Sequence, residues 1–68
     1  MKDINKAIAL NPDFSEAYFK RGISKDKSKD ARGAIIDYSR AIKLNPDFAD
    51  AYFNRGIEKI NMERHEFY

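Results

Sequence analysis

Asn11-Pro12-Asp13-Phe14 returns as Asn45-Pro46-Asp47-Phe48, 34 residues further on (45 − 11 = 34). The echo extends to both sides of this tract. Pairing residue i with i+34 from Asp3/Asp37 to Lys25/Lys59 gives 15 identities in 23 pairs. Ala17-Tyr18-Phe19 recurs as Ala51-Tyr52-Phe53, and Arg21-Gly22-Ile23 as Arg55-Gly56-Ile57. A fixed period of this length marks a chain built from repeated supersecondary units. Such units stack into extended binding surfaces, and catalytic sites are not their usual product.

Between the echoes, apolar spacing predicts four helices. The first covers about residues 2–11, with Ile4, Ala7, Ile8 and Leu10 on one side. Pro12 ends it, because a proline disfavours helical geometry in the residue before it. The second runs from about Ser15 to Lys27. Asp13 or Ser15 is the expected cap, and Glu16 places an acid where the helix dipole favours it. The third begins near Asp30 and ends near Leu44, stopped by Asn45-Pro46. Its face is Ala34, Ile35, Tyr38, Ala41, Ile42 and Leu44. The fourth starts near Ala49 and reaches Glu63 or beyond, with Ala51, Tyr52, Phe53, Ile57 and Ile60 apolar. No stretch alternates with the period of two that a half-buried strand needs. The fold class is all-α.

Gly22 and Gly56 fall in the middle of predicted helices, where glycine costs about 1 kcal/mol relative to alanine. Such a glycine usually signals the close approach of another backbone. Ala34 and Ala41 are small in the same way. The pattern reads as antiparallel helices in close contact.

Composition narrows the class further. A chain of 68 residues forms one small domain at most, and such a domain buries only about 60% of its unfolded surface. The hydrophobic fraction of 43% is too high for a disordered chain. There is no cysteine, hence no disulfide framework and no thiolate metal site. No apolar run approaches the roughly 18 residues of a membrane span, and Met1 to Lys6 lacks the apolar core of a signal peptide. A cytoplasmic location is the default expectation. The net charge of +2 does not point to nucleic acid. Its distribution is uneven: residues 1–34 carry 8 Lys/Arg and 5 Asp/Glu (+3), residues 35–68 carry 5 and 6 (−1). The two halves are mildly complementary, an effect that salt screens.

These residues resemble the tetratricopeptide repeat (TPR), a pair of antiparallel helices in about 34 residues. The matching positions are Tyr18-x-x-Arg21-Gly22-x-x-Lys25, then Ala34-x-x-x-Tyr38, Ala41 and Pro46. The next copy opens with Tyr52-x-x-Arg55-Gly56-x-x-Lys59. The preceding copy contributes Ala7 and Pro12. The resemblance implies a helix-turn-helix repeat, an α-solenoid fragment read out of frame. Residues 1–14 are the second helix of one unit, residues 15–48 a complete unit, and residues 49–68 the first helix of another.

Three departures from the family pattern stand out. Arg21 and Arg55 replace the usual Leu, and are expected to be solvated because long cationic side chains reach water. Lys25 and Lys59 replace the usual core Tyr. The tract Lys25-Asp26-Lys27-Ser28-Lys29-Asp30-Ala31 lacks the family's glycine near Lys29 and its aromatic near Ala31. Without that glycine, no residue readily takes a left-handed turn conformation. Two arrangements stay open. The tract turns normally, or it continues as helix, fusing the second and third segments and permitting domain swapping between protomers.

Candidate chemistry is sparse. His65 in Glu63-Arg64-His65-Glu66 resembles half of a zinc-protease motif, but one ligand builds no site. Asp13 and Asp47 read as turn residues. The cations from Lys25 to Arg32 are interleaved with acids, as in a solvated loop. No enzyme activity, metal or cofactor is expected. The stronger candidate is a groove. In TPR proteins the concave surface is lined mainly by the first helix of each pair. Carried onto this chain, that face is Glu16, Phe19, Ile23, Asp26 and Lys27, followed by Asp50, Phe53, Ile57, Ile60 and Asn61. The clamp that some TPR proteins use for C-terminal carboxylates needs Lys and Asn where this chain has Phe and Ile. An extended or helical peptide with apolar anchors fits better. The expected function is therefore protein or peptide binding on the first-helix face. The alternative is self-association, as a homodimer or a larger oligomer, by end-to-end stacking or swapping. Neither nucleic acid nor membrane is an expected partner.

Overall fold

The computed structural model describes residues 4–10 and 14–65. Four helices follow one another: α1 (Ile4–Leu10), α2 (Ser15–Lys27), α3 (Ala31–Leu44) and α4 (Ala49–His65). No strand occurs among the described residues. Each helix packs against its neighbour in sequence. The result is a flat assembly with extents of 41 × 26 × 13 Å, close to a single layer of helices.

The start of α2 departs from expectation. Its N-cap is Phe14, whose side chain makes no capping bond. The Phe14 carbonyl instead accepts from the amides of Ala17 (3.1 Å) and Tyr18 (3.4 Å). Ser15 is the first helical residue, and Asp13 lies outside the described residues. Glu16 in the first turn and Lys25 and Lys27 in the last turn do complement the helix dipole.

The tract after α2 turns, so α2 and α3 are not fused. Lys29 takes a positive φ of 65°. The Asp30 amide donates to the Lys25 carbonyl (2.8 Å) and the Lys29 amide to the Asp26 carbonyl (2.9 Å). This is the Schellman pairing that closes a helix, with lysine at the left-handed position where glycine is usual. Asp30 then caps α3, its Oδ1 accepting from the Gly33 amide at 3.0 Å. Gly33 is glycine for a local reason, since a Cβ there would collide with the Asp30 carboxylate and with Cδ of Lys25 at 2.9 Å. The cap and the reversal sit back to back, and α3 folds down against its own α2.

The second echo tract makes the α3–α4 corner. Asn45 Oδ1 accepts from the Asp47 amide (3.3 Å), and the Phe48 amide donates to the Asn45 carbonyl (3.0 Å). Asparagine thus supplies the local turn bond, while Pro46 blocks any continuation of the helix. Phe48 swings back towards α2, where its ring meets that of Phe19 at 4.8 Å.

The core is small-sided. Ala17, Ala34, Ala41 and Ala51 are buried, and around them lie Tyr18, Tyr38 and Ile42. Gly22 is closely packed as expected, but against a side chain rather than a backbone: a Cβ there would fall 2.6 and 2.8 Å from atoms of the Tyr38 ring. Gly56 is not. Nothing lies within 4 Å of the place its Cβ would occupy. The same residue in the same repeat position is thus packed in α2 and open in α4.

Arg21 also departs from expectation, since it is not simply solvated. Its Nε and one terminal nitrogen donate to both oxygens of Asp37 (2.8 and 2.9 Å), and its other terminal nitrogen donates to Asn5 Oδ1 (2.9 Å). Lys25 Nζ adds a third contact to Asp37 at 3.2 Å. The carboxylate is fully buried. Burial alone would raise its pKa, but hydrogen bonds from Arg21 and Lys25, with their charges, hold it below the usual carboxylate range. The cations replacing the family's Leu and Tyr therefore form one network with a buried acid from α3. Such a network fixes the relation of two helices more than it adds stability, because desolvation offsets most of the attraction.

Candidate functional site

Three helices build the candidate site. α2 and α4 stand on either side, and Tyr38 of α3 lies between them. A cleft of about 190 Å³ opens here, lined by Ile23 and Asp26 from α2, Tyr38 from α3, and Asn54, Ile57 and Glu58 from α4. The helical period explains the set: Ile23 and Asp26 are three apart on α2, and Asn54, Ile57 and Glu58 occupy one stripe on α4.

The ten residues of the expected binding face are distributed unevenly. Ile23, Asp26 and Ile57 come together at the cleft. Phe53, Ile57 and Ile60 project from α4 and are 69%, 40% and 56% exposed. Phe19 is half-buried. Its ring lies 5.7 Å from that of Tyr38 and 4.8 Å from that of Phe48, so it acts as a wedge beneath the face. Glu16, Lys27, Asp50 and Asn61 are exposed at its margins. The equivalence of Phe19 and Phe53 in sequence does not carry into space. The Phe48 ring covers the first, and among the described residues no aromatic ring covers the second.

Glu58 is the residue that sequence reasoning missed. It is only 4% exposed. Burial pushes its carboxyl up to about 7, and a hydrogen bond to the Asp26 carboxyl and the charge there act in the same direction. A second carboxyl facing it across the cleft disfavours the charged form of Glu58. The Tyr38 hydroxyl is likewise pushed up by burial and by the charges of Asp26 and Glu58, against a hydrogen bond with Asn54 that lowers it. A signal was present in the sequence. Arg21-Gly22-Ile23-Ser24-Lys25 recurs as Arg55-Gly56-Ile57-Glu58-Lys59, and Glu58 is the one change. A charged residue breaking an otherwise exact repeat is where the two helices must differ in environment.

The arrangement suits recognition. It offers a cleft of mixed polarity, in which Ile23 and Ile57 stand beside Tyr38, Asn54 and the carboxyls of Asp26 and Glu58, with exposed aliphatic and aromatic side chains beside it. Among the described residues no group of three or more His, Cys, Asp or Glu is placed to hold a metal ion. No described helix is long and apolar enough to cross a membrane.

Helices whose residues repeat every 34 positions define a helical-repeat architecture. A family model described as TPR repeat matches residues 29–57, from the reversal at Lys29 through α3 into α4. Over that segment, 29 of the 68 residues, the chain is similar to the TPR family. Searches among curated proteins and among solved structures gave no match. TPR repeats generally mediate protein–protein interaction.

Proposed function

We propose that the chain is a protein-interaction module that binds a peptide segment across the face formed by α2 and α4. The observation that carries this reading is the run of exposed apolar side chains on α4, Phe53, Ile57 and Ile60, beside a cleft that already has Tyr38 as its base. Isolated apolar residues on a surface need no explanation, but a contiguous patch flanked by polar groups marks an interaction site. A ligand with an apolar anchor fills the cleft between Ile23 and Ile57. The Asp26–Glu58 pair favours a lysine or arginine next to that anchor, since a nearby cation favours the ionised form of the buried Glu58 carboxyl.

The test uses an array of peptides with one apolar anchor, with and without an adjacent lysine, measured by fluorescence anisotropy. Phe53→Ser and Ile60→Ser remove exposed side chains and leave the Phe19 wedge in place. Binding at least tenfold weaker with unchanged melting supports the face. Unaltered binding in both variants, or no binding to any peptide at millimolar concentration, defeats it.

The second reading is self-association through the ends of the chain. It is favoured by the outer side of α4, where Tyr52 is exposed and Gly56 stands open.

A further inference from the structure

The α2–α3 contact is a template for what α4 lacks. In α2, Tyr18 is buried at 9% exposure, Gly22 lies under the Tyr38 ring, and Arg21 and Lys25 share the Asp37 carboxylate. The residues 34 positions on are the same four: Tyr52, Arg55, Gly56 and Lys59. Their surroundings differ at every point. Tyr52 is 46% exposed, and Gly56 has no atom above it. Among the described residues Arg55 donates only to the Ser39 hydroxyl, at 3.1 Å. Among the described residues no carboxylate pairs with Arg55 or Lys59. The face is shaped and charged for an α3-type helix, one with a carboxylate to meet two cations and small residues to let the backbones approach.

The chain itself contains such a helix. Asp37, Ala41, Ile42 and Leu44 of α3 have Asp3, Ala7, Ile8 and Leu10 as their counterparts in and just before α1. Asp3 lies outside the described residues and enters by sequence alone. Leu10, at the end of α1, is 76% exposed. The half of the chain carrying α1 is net positive and the half carrying α4 net negative, +3 against −1.

We infer that the outer face of α4 receives the α1 segment of a second copy, in the register that α3 adopts on α2, in which Asp3 of that copy corresponds by sequence to Asp37. This rests on the self-association reading and gives it a surface and a partner. The contact is heterologous, joining unlike surfaces, so each added copy leaves another α4 face open. Growth is therefore head to tail, and the expected species are a concentration-dependent series that extends beyond the dimer.

Sedimentation velocity of the full chain from micromolar to millimolar concentration tests this, with circular dichroism to monitor folding. The wild-type mass is expected to rise through dimer to larger species. Gly56→Leu fills the open site and is expected to stay monomeric with unchanged helicity. Should that variant fail to fold, exposed Lys59 provides an independent route. Lys59→Glu should weaken association at least tenfold, and Asp3→Lys in the same chain should restore it. A wild-type chain that stays monomeric at millimolar concentration overturns both the self-association reading and this contact. Association that neither Gly56→Leu nor Lys59→Glu alters leaves self-association standing and overturns the α1-on-α4 register.

Discussion

Replacing Gly22 and Gly56 by alanine applies one perturbation to two equivalent repeat positions, and the effects should be opposite in sign. At Gly56 the new methyl meets nothing within 4 Å. Only the helix-propensity gain remains, about 1 kcal/mol. At Gly22 the same gain is set against a Cβ at 2.6 and 2.8 Å from the Tyr38 ring. Ordinary carbon–carbon contacts lie near 3.5–4.0 Å, so the ring would have to retreat by about 1 Å. It has nowhere to go, being 1% exposed and stacked against Phe19. Overpacking of this kind costs about 1–3 kcal/mol, which leaves a net loss of roughly 1 kcal/mol after the propensity gain. For a domain of this size, 1 kcal/mol moves the melting temperature by roughly 4–8 °C. Thermal melts at low micromolar concentration should therefore show Gly56→Ala above the wild type and Gly22→Ala below it. Urea midpoints should shift in the same order with unchanged slopes. If both variants move in one direction, the asymmetry between α2 and α4 is wrong.

Two further predictions concern stability. Glu58 titrates near 7 when folded, against an ordinary 4.5. The folded state thus favours its protonated form, a contribution fully present below pH 4.5 and lost as pH rises through 7. Asp37 is shifted the other way, so its contribution is present above its ordinary 3.8 and lost as pH falls. Stability should peak near pH 4.5–5 and decline towards neutrality by at most about 1.4 kcal/mol per pH unit. Glu58→Gln should flatten that decline, and a wild-type profile level from pH 5 to 7 would refute the raised titration of Glu58. Lys29→Gly should stabilise the chain by about 1 kcal/mol, because glycine takes a φ of 65° without the Cβ penalty. A lower urea midpoint in that variant would contradict the reversal described here.

Much of the fold was legible because its determinants are local. Ser15, Lys27, Leu44 and Ala49 bound the observed helices as the apolar spacing and the prolines indicate. The reversal at Lys29 was not legible, because lysine rarely takes a left-handed conformation. What permits it is the pair of Schellman bonds followed at once by the Asp30 cap. Arg21 was misread for a similar reason. A lone arginine on a helix looks solvated until the acid 16 residues away is brought under it. At the candidate face, the repeat supplied Ile23 and Ile57 but made Phe19 and Phe53 look equivalent. Phe48 separates them in space.

The 34-residue echo by itself determined the helix class, the corner from Asn45 to Phe48 and the pairing of small residues with aromatic ones, since each follows from spacing along one helix or from turn chemistry. Tertiary structure alone decided which copies of those residues are satisfied. Burial, raised titrations and ion networks depend on what a neighbouring helix brings, and identical sequence does not ensure identical neighbours. Tyr18-Phe19 and Tyr52-Phe53 are the same letters; α3 and Phe48 cover the first pair, and the second remains on the surface.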